Sequence, residues 1–299
     1  MESILSWGVE LIRAVQRHAS PALTIAMKGL TALGSEWFYL AVLPVVYWCV
    51  DRRKGQRLGV VFLASAFLNL WLKDLFAQPR PYDLDPSVGM ARESSHGLPS
   101  GHSQNSAVFW GLAAPQVRRP WGLVLALALP LLIGFSRIYL GVHFPTDVFA
   151  GWALGGLFLG AYALAGHRAE RALDRLDVRA KVALVAGLAF AMNALEMRDT
   201  SIAGGFFGMG IGLVYAGRLA PFSAGGPLGK RALRFVFGMA GAAVLYLGLK
   251  AVFPGKGSEL YALFRFLRYG LLGAWVALGA PWAFLRLKLA EREDLSARG

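Results

Sequence analysis

Long apolar stretches separated by short polar connections dominate the pattern of this chain. A helix needs about 17–25 mainly apolar residues to cross a bilayer, and nine stretches reach or approach that length. The pattern therefore predicts an all-α, polytopic membrane helix bundle of about nine transmembrane helices. The predicted spans lie near 35–50, 57–76, 101–117, 121–138, 147–166, 181–196, 200–217, 233–253 and 264–285.

The composition agrees with a chain that lies largely in lipid. Of the 299 residues, 56% are hydrophobic and only 16% are charged, whereas a soluble domain has about 25% charged residues. The mean hydropathy is +0.48. The 36 glycines suit close packing between membrane helices. A single cysteine, Cys49, excludes an intramolecular disulfide.

The positive charge of the chain is a topology signal. The net charge is +13, and it is uneven once the connections are assigned alternately to two sides. One side carries 19 Lys or Arg against seven acidic residues, whereas the other carries ten of each. The basic side is expected in the cytoplasm, which predicts an external N-terminus, a cytoplasmic C-terminus and no nucleic-acid partner. The basic connections are 51–57, 115–121, 166–181, 218–234 and 286–299.

Three short motifs stand on the opposite, external side. They are Lys73-x6-Arg80-Pro81, Pro99-Ser100-Gly101-His102 and Ser136-Arg137-x5-His143-x3-Asp147. Lys and Arg can clamp the oxygens of a phosphate ester. Displacing the leaving group then needs a nucleophile, a proton donor and charge stabilisation, and the motifs contain residues suited to each task.

Local chain geometry explains how these residues would work. Ser100 stands where a helix N-cap belongs, so the following amides would form an anion site. Pro145 should begin a helix, and His143 should emerge just before its first turn. Asp147 could then reach back to the imidazole of His143, fix its tautomer and leave the other ring nitrogen free to attack phosphorus.

The motifs, in order and without a gap, resemble the signature of the type 2 phosphatidic acid phosphatase superfamily over about residues 57–166. The resemblance implies that His143 is the nucleophile, which forms a phosphohistidine, and that Asp147 orients it. His102 would protonate the leaving oxygen and then activate water. The implied phosphate-binding residues are Lys73, Arg80, Ser100, Gly101 and Arg137.

No metal and no cofactor are expected. Three cations can neutralise the phosphoryl oxygens, and the residues near the motifs supply no cluster of carboxylates that would enclose Mg²⁺.

The chain divides into three segments on this interpretation. Residues 1–34 form an N-terminal amphipathic, interfacial segment, 35–166 the phosphatase core, and 167–299 additional transmembrane helices of unknown role. The acidic start of the first segment argues against a signal peptide. Its helix is expected to lie in the interface or, as an open alternative, to pack on other spans. The expected apolar face consists of Ile4, Trp7, Leu11, Ile12 and Val15.

The function predicted is that of an integral plasma-membrane phosphatase. It would hydrolyse a lipid phosphate monoester or diphosphate at the outer leaflet, facing the periplasm or the exterior, with membrane lipids around it. One alternative is a small soluble sugar phosphate as substrate, because the run Leu68-Asn69-Leu70 before Lys73 looks like the glucose-6-phosphatase branch. Another is a transporter or flippase that binds a phosphate headgroup without hydrolysis; the paired His143 and Asp147 favour hydrolysis. The sequence does not determine the oligomeric state.

Other polar and aromatic residues on the external side carry weaker signals. The charged residues of the 77–99 loop are expected to be mainly solvated, with contact to substrate as the alternative. The nearby aromatic residues are expected mainly to anchor the interface, with a place along a lipid entry as the alternative. No role is assigned to a third group between later spans. The loop residues are His96, Asp83, Asp85 and Glu93, and the aromatic residues are Tyr82, Tyr139 and Trp110. The group without a role is Glu196, Arg198 and Asp199.

Overall fold

The computed structural model describes residues 2–114 and 120–293, and within them the chain is almost entirely helical. One isolated bridge, between Phe222 and Arg292, is the sole strand-like pairing in these ranges. The all-α class is confirmed. The helices are α1 (Glu2–Gln16), α2 (Pro21–Ala32), α3 (Glu36–Val45), α4 (Arg52–Phe76), α5 (Pro81–Leu84), α6 (Gly101–Ala113), α7 (Pro120–Tyr139), α8 (Pro145–Arg175), α9 (Val178–Leu195), α10 (Ser201–Leu219), α11 (Leu228–Val252), α12 (Tyr261–Ala274) and α13 (Ala280–Arg286), with π-helical turns at Val46–Val50 and Trp275–Gly279.

The number of membrane spans is slightly below the predicted nine. Seven helical segments in the described ranges are long and apolar enough to cross a membrane, or up to eight if one bent pair counts as a single span. The seven are Arg52–Leu84, Pro120–Tyr139, Pro145–Arg175, Val178–Leu195, Ser201–Leu219, Leu228–Val252 and Tyr261–Arg286.

Two predicted spans differ from the structure. The stretch 35–50 passes as a span only together with α2, from which it is bent by 49°. The stretch 101–117 forms a helix of 13 residues, α6, and the rest of that prediction, 115–117, lies outside the described residues. At 1.5 Å per residue a 13-residue helix covers about 20 Å, less than the hydrocarbon core of about 30 Å.

The chain folds as two compact units. The first contains the described residues up to Tyr39 together with Ala64–His167, and therefore all three motifs. The second contains Leu40–Leu63 together with the described residues from Arg168 onward. Residues 40–63, which the sequence interpretation assigned to the phosphatase core, are thus part of the second unit. Sequence position alone does not show which helices an apolar stretch packs against.

In the first unit, α7 packs against both α2 and α6. Helix α1 also packs onto this unit, where Val9 and Ile12 join a buried cluster with Ile138, Phe144 and Val148. Gly8 makes this approach possible, because a Cβ atom there would lie 2.7 Å from Cδ1 of Phe144.

The predicted apolar face of α1 divides between two environments. Ile12 is fully buried, and Leu11 and Val15 pack against buried clusters, whereas Ile4 and Trp7 are 55% and 50% exposed. Val9, which lies off that face, is also buried. Apolar side chains suit both protein interior and lipid, so helical spacing alone does not separate the two.

In the second unit, α10 and α12 are in close backbone contact. A Cβ atom on Gly204 would overlap the carbonyl of Phe266, and one on Gly208 would overlap Gly270. Glycines spaced four apart let two membrane helices approach closely. The buried core of this unit gathers around Tyr47, Trp48, Cys49, Phe222 and Phe284.

Candidate functional site

The motif residues stand at helix ends or in the turns between helices of the first unit. Lys73 lies in the last turn of α4 and Arg137 in the last turn of α7. Ser100 is the N-cap of α6, as the sequence predicted. Asp147 lies in the first turn of α8, and His143 precedes the helix start at Pro145.

Lys73 and Arg80 converge on one carbonyl group. Nζ of Lys73 donates to the carbonyl of His96 at 2.5 Å and to that of Gly97 at 3.2 Å. Nη2 of Arg80 donates to the same His96 carbonyl at 3.1 Å. Both side chains are buried, and neither forms an ion pair with a carboxylate in the described ranges. Two buried cations held mainly by neutral carbonyls favour binding of an anion.

Arg80 also contacts the His143 ring. Its Nη1 atom lies 2.7 Å from the carbonyl oxygen of Val142 and 3.3 Å from Nε2 of His143, and its Nε donates to the carbonyl of Ser95 at 2.6 Å. The guanidinium therefore links the 77–99 loop to the turn before α8.

His143 and Asp147 form the i,i+4 contact that the sequence predicted. Nδ1 of His143 lies 3.2 Å from Oδ2 of Asp147, which also accepts the backbone N–H of Phe144 at 3.0 Å. The other carboxylate oxygen, Oδ1, accepts from Nε2 of Gln78 at 2.6 Å. The carboxylate is fully buried, so these donors fix its orientation.

The imidazole of His143 is held in its neutral form. Burial, followed by the charges of Lys73, Arg80 and Arg137, sets the pKa of His143 well below its ordinary value. Each of these effects penalises a proton on the ring. The ring therefore keeps an unprotonated nitrogen, as a nucleophile requires.

The start of α6 is built on a buried polar network. Oγ of Ser100 accepts from Ser103 N at 3.4 Å, and the Ser100 amide donates to the carbonyl of Asp147 at 2.9 Å, which ties α6 to α8. Gly101 faces Asn69: a Cβ atom there would lie 2.9 Å from Oδ1 of Asn69. Nδ2 of Asn69 in turn donates to Oε1 of Gln104 at 2.9 Å. These hydrogen bonds hold the N-terminal end of α6, where the sequence predicted an anion site, in a defined position.

Arg137 has two side-chain partners far away in sequence. Its Nη1 donates to Oγ1 of Thr31 in α2 at 2.6 Å, and its Nη2 forms a short ion pair with Glu93. Nε of Arg137 is buried and has no hydrogen-bond partner in the described ranges. One donor of this guanidinium therefore remains available to an anion.

His102 lies half-buried in the first turn of α6. A Cβ atom on Gly34 would lie 3.1 Å from Cδ2 of His102, so a larger residue at position 34 would press on the ring. No hydrogen bond to the His102 ring is found within 2–114 and 120–293, which leaves its nitrogens uncommitted.

Comparison with known proteins identifies the family. Residues 55–171 match the PAP2 superfamily. Phosphatidylglycerophosphatase B of Bacillus subtilis (strain 168) is 34% identical over 148 residues, which are 45% of this chain and 71% of that protein. This chain belongs to the PAP2 superfamily. The predicted resemblance to type 2 phosphatidic acid phosphatases is confirmed, and the chain is a helical membrane protein of a phosphatase family.

The C-terminal helices of this PAP2 protein also match a known family. Residues 200–292 match "PAP2 superfamily phosphatase, transmembrane extension". The sequence interpretation found no motif in that part of the chain, and none of the three phosphate motifs lies in it.

Two further comparisons cover about half of the chain. Lipid phosphate phosphatase delta of Arabidopsis thaliana is 28% identical over 181 residues, which are 54% of this chain and 43% of that protein. A crystal structure of the first transmembrane PAP2-type phosphatidylglycerolphosphate phosphatase from Bacillus subtilis aligns with a TM-score of 0.48 and 29% identity, covering 57% of this chain and 88% of that one. The chain thus spans less than half the length of the plant relative.

Several loop residues that the sequence interpretation treated as solvated have defined partners in this PAP2 structure. Glu93 pairs with Arg137. Asp83 accepts the backbone N–H of Arg80 at 2.8 Å, and Asp85 pairs with Arg13 of α1 at 2.8 Å. His96 contributes its carbonyl to Lys73 and Arg80. Asp83 and Glu93 are nevertheless exposed, and Asp85 and His96 are partly exposed, so these contacts add to the expected solvation of the side chains and do not contradict it.

The aromatic candidates also have internal contacts. The hydroxyl of Tyr82 donates to the carbonyl of Glu93 at 3.0 Å, and that of Tyr139 lies 2.8 Å from Oγ1 of Thr24. Trp110 stacks on Phe38. These rings support the 77–99 loop and the N-terminal helices. In the second unit, Glu196 accepts the amides of Arg198 and Asp199 at 3.0 and 3.3 Å.

Sequence reasoning missed Gln78, Thr31 and Asn69 as supports of the site. Gln78 and Asn69 lie close to the first motif in sequence, but amide side chains are common and gave no distinguishing signal. Thr31 is 106 residues from Arg137, and no local pattern could have paired them.

Proposed function

We propose that this protein hydrolyses a lipid phosphate monoester or diphosphate through a phosphohistidine formed on His143. The proposal rests on the environment of the His143 imidazole: the Asp147 carboxylate lies 3.2 Å from Nδ1, and the Arg80 guanidinium lies 3.3 Å from Nε2. A phosphate held by Arg80 would lie beside the nitrogen that attacks it.

In the first step, Nε2 of His143 attacks phosphorus, a P–N bond forms and the P–O bond to the leaving group breaks. Asp147 stabilises the positive charge that develops on the ring. The electron pair of the broken bond goes to the leaving oxygen, which takes a proton from His102. The negative charge of the bound phosphate favours the protonated form of His102 before this transfer.

In the second step, water attacks phosphorus and the P–N bond breaks. His102, neutral after the first step, accepts a proton from that water, and the electron pair of the P–N bond returns to His143. Both residues recover their starting state, and inorganic phosphate is released from an ester substrate. One residue serves in turn as general acid and general base.

The phosphoryl oxygens would be held by the positive groups of the three motifs. Lys73 and Arg80 are already directed at one shared carbonyl, and Arg137 retains an unpartnered Nε. The amide of Gly101 and the hydroxyl of Ser100 lie at the N-terminus of α6, where helix dipole and free amides favour an anion. This cluster would stabilise charge in the transition state without a metal ion.

Family membership and charge distribution support a lipid substrate at the outer leaflet. Two relatives compared above are a lipid phosphate phosphatase and a phosphatidylglycerophosphatase. The excess of Lys and Arg on the opposite connections supports an orientation in which the motifs face the periplasm or exterior, with the N-terminus on that side and the C-terminus in the cytoplasm.

The test is phosphate release by the purified full chain in detergent. The substrates would be phosphatidic acid, phosphatidylglycerol phosphate, undecaprenyl diphosphate, a sphingoid phosphate and glucose 6-phosphate, with His143→Ala as the inactive control. Turnover of at least one lipid well above that of glucose 6-phosphate is expected. Preference for the sugar phosphate would contradict a lipid substrate, and binding without release of phosphate from any lipid would indicate a carrier.

A further inference from the structure

A buried arginine in the second unit has no anionic partner among the residues that the structure describes. Arg268 lies in α12 and is 8% exposed, and its Nε atom is buried without a hydrogen-bond partner. No carboxylate forms an ion pair with it in the part of the chain that the structure describes. An unpaired buried charge is costly, and an ionisable residue within a membrane span points to a functional site.

The surroundings of Arg268 are aromatic and positively charged. Its guanidinium carbon lies 5.3 Å from the ring centroid of Tyr246 in α11 and 5.5 Å from that of Tyr269. Arg265, one turn earlier, lies 5.9 Å from the ring of Tyr269 and also 5.9 Å from that of Tyr261. We call these five residues the Arg–Tyr cluster.

The Arg–Tyr cluster carries more positive charge than the nearby ion pair neutralises. Nη2 of Arg265 pairs with Asp199 at 2.6 Å, and its Nη1 donates to the hydroxyl of Tyr261 at 3.2 Å. Asp199 is therefore engaged with Arg265, and within 2–114 and 120–293 the charge of Arg268 meets the rings of Tyr246 and Tyr269 but no carboxylate. One further negative charge would balance the cluster.

Arg268 lies near one end of its span. It is seven residues from Tyr261, the first residue of α12 and of its span, or about 10 Å along the helix axis, which is more than the headgroup layer of about 5–8 Å. The backbone of Arg268 would therefore lie just below that layer, and the long side chain of an arginine can extend from there toward the headgroups. Tyrosines such as those of the cluster are enriched at that level.

An apolar stripe runs along α12 beside the Arg–Tyr cluster. Leu263, Leu267 and Leu271 are all exposed, and their spacing of four residues places them on one side of the helix. Acyl chains can lie along this stripe while a headgroup reaches Arg268. A soluble anion would make no use of it.

We propose that the Arg–Tyr cluster binds the phosphate of an anionic phospholipid, with Arg268 as the principal ligand. Arginine presents a planar fork that can give two parallel hydrogen bonds to phosphate oxygens. The site belongs to the second unit and contains no motif residue, so it does not depend on the hydrolytic function proposed above.

The experiment measures binding to the full, delipidated chain in detergent by thermal stabilisation. Three probes are titrated: a short-chain phosphatidylglycerol, the matching phosphatidylcholine and inorganic phosphate. Saturable stabilisation by phosphatidylglycerol is expected, with much weaker effects of the other two. Equal effects of both lipids would overturn the role of net negative charge, and an equal effect of inorganic phosphate at the same concentrations would overturn a lipid ligand.

Variants locate the site. Arg268→Met should weaken phosphatidylglycerol binding by at least about tenfold, because a charge-assisted fork is lost. Arg286→Met is the matched control, since Arg286 also lies over an aromatic ring, 5.2 Å from Trp282, but is exposed; binding should be unchanged. Arg137→Gln reports on the motif site. A loss of lipid binding in Arg137→Gln rather than in Arg268→Met would place the lipid at the motifs and overturn the proposal.

The stability of the lipid-free protein separates a ligand role from a structural one. Without lipid, Arg268→Met should melt at or above the temperature of the wild type, because a buried unpaired charge is gone. A lower melting temperature with unchanged lipid affinity would show that Arg268 only packs on the tyrosines. If Arg268→Met does not fold, Arg268→Lys is used instead. A lipid affinity several-fold weaker than that of the wild type would support paired hydrogen bonds from the guanidinium to the phosphate. An unchanged affinity would overturn the proposal.

Discussion

Nη1 of Arg80 lies 3.3 Å from Nε2 of His143, and this contact determines the tautomer of the ring. A guanidinium only donates hydrogen bonds, so Nε2 must accept and carries no proton. The proton of the neutral ring is therefore on Nδ1, where it can be donated to Oδ2 of Asp147. The unprotonated nitrogen faces the cation that would hold a phosphate.

The same tautomer also needs Asp147 to accept the proton on Nδ1, which gives the first prediction. Asp147→Asn should lower kcat by about 10²–10⁴-fold, as loss of an orienting carboxylate does in other nucleophile–base systems, while the fold is retained. Gln78→Ala removes only one donor to Oδ1 and should cost less than tenfold. Steady-state kinetics on one lipid substrate measure both. A larger loss for Gln78→Ala than for Asp147→Asn would be inconsistent with this hierarchy.

The ion pair between Glu93 and Arg137 leads to the second prediction. Glu93 accepts a hydrogen bond from Nη2 of Arg137, a donor that an incoming phosphate would need. A bound anion must therefore compete with Glu93 for Arg137. Glu93→Gln should strengthen inhibition by vanadate several-fold, with the largest difference at low ionic strength. The matched control is Glu10→Gln, which removes an exposed carboxylate paired with Arg13 and should leave inhibition unchanged. Weaker inhibition in Glu93→Gln would show that Glu93 positions Arg137 instead.

The sequence could predict interactions between residues that are close along the chain, but not those between residues far apart in it. Helices, the Ser100 cap and the i,i+4 approach of Asp147 to His143 depend on nearby residues, and spacing was enough to find them. The pairing of Glu93 with Arg137 joins positions 44 apart and that of Gln78 with Asp147 positions 69 apart, which only the tertiary fold brings together. The packing of α1 was left open for a different reason: lipid and protein interior both accept apolar side chains, so the sequence allowed an interfacial position as well as packing on other spans.

The orientation of the chain gives the third prediction. In a Cys49→Ala background, Ser94→Cys should react with an impermeant thiol reagent in intact cells, and Ala172→Cys should react only after permeabilisation. Both positions are exposed, so lack of access to the protein surface would not explain protection. The reverse labelling pattern would place the motifs in the cytoplasm.

The three cations give the fourth prediction. Activity should survive EDTA, because Lys73, Arg80 and Arg137 supply the charge that bound metal ions supply in other phosphatases, and vanadate should inhibit competitively as a mimic of the transition state. The measurement is the initial rate after dialysis against chelator. Loss of turnover with recovery on adding Mg²⁺ would show that the cations are not sufficient.

The most direct measurement is covalent labelling of the enzyme by an activated phosphate ester. With radiolabelled nitrophenyl phosphate, His102→Ala should accumulate phosphoenzyme, since the weakly basic leaving group needs little protonation while hydrolysis still needs the missing base. His143→Ala should lose turnover and never carry label. Label on His143→Ala together with none on His102→Ala would contradict the central claim and exchange the roles of the two histidines.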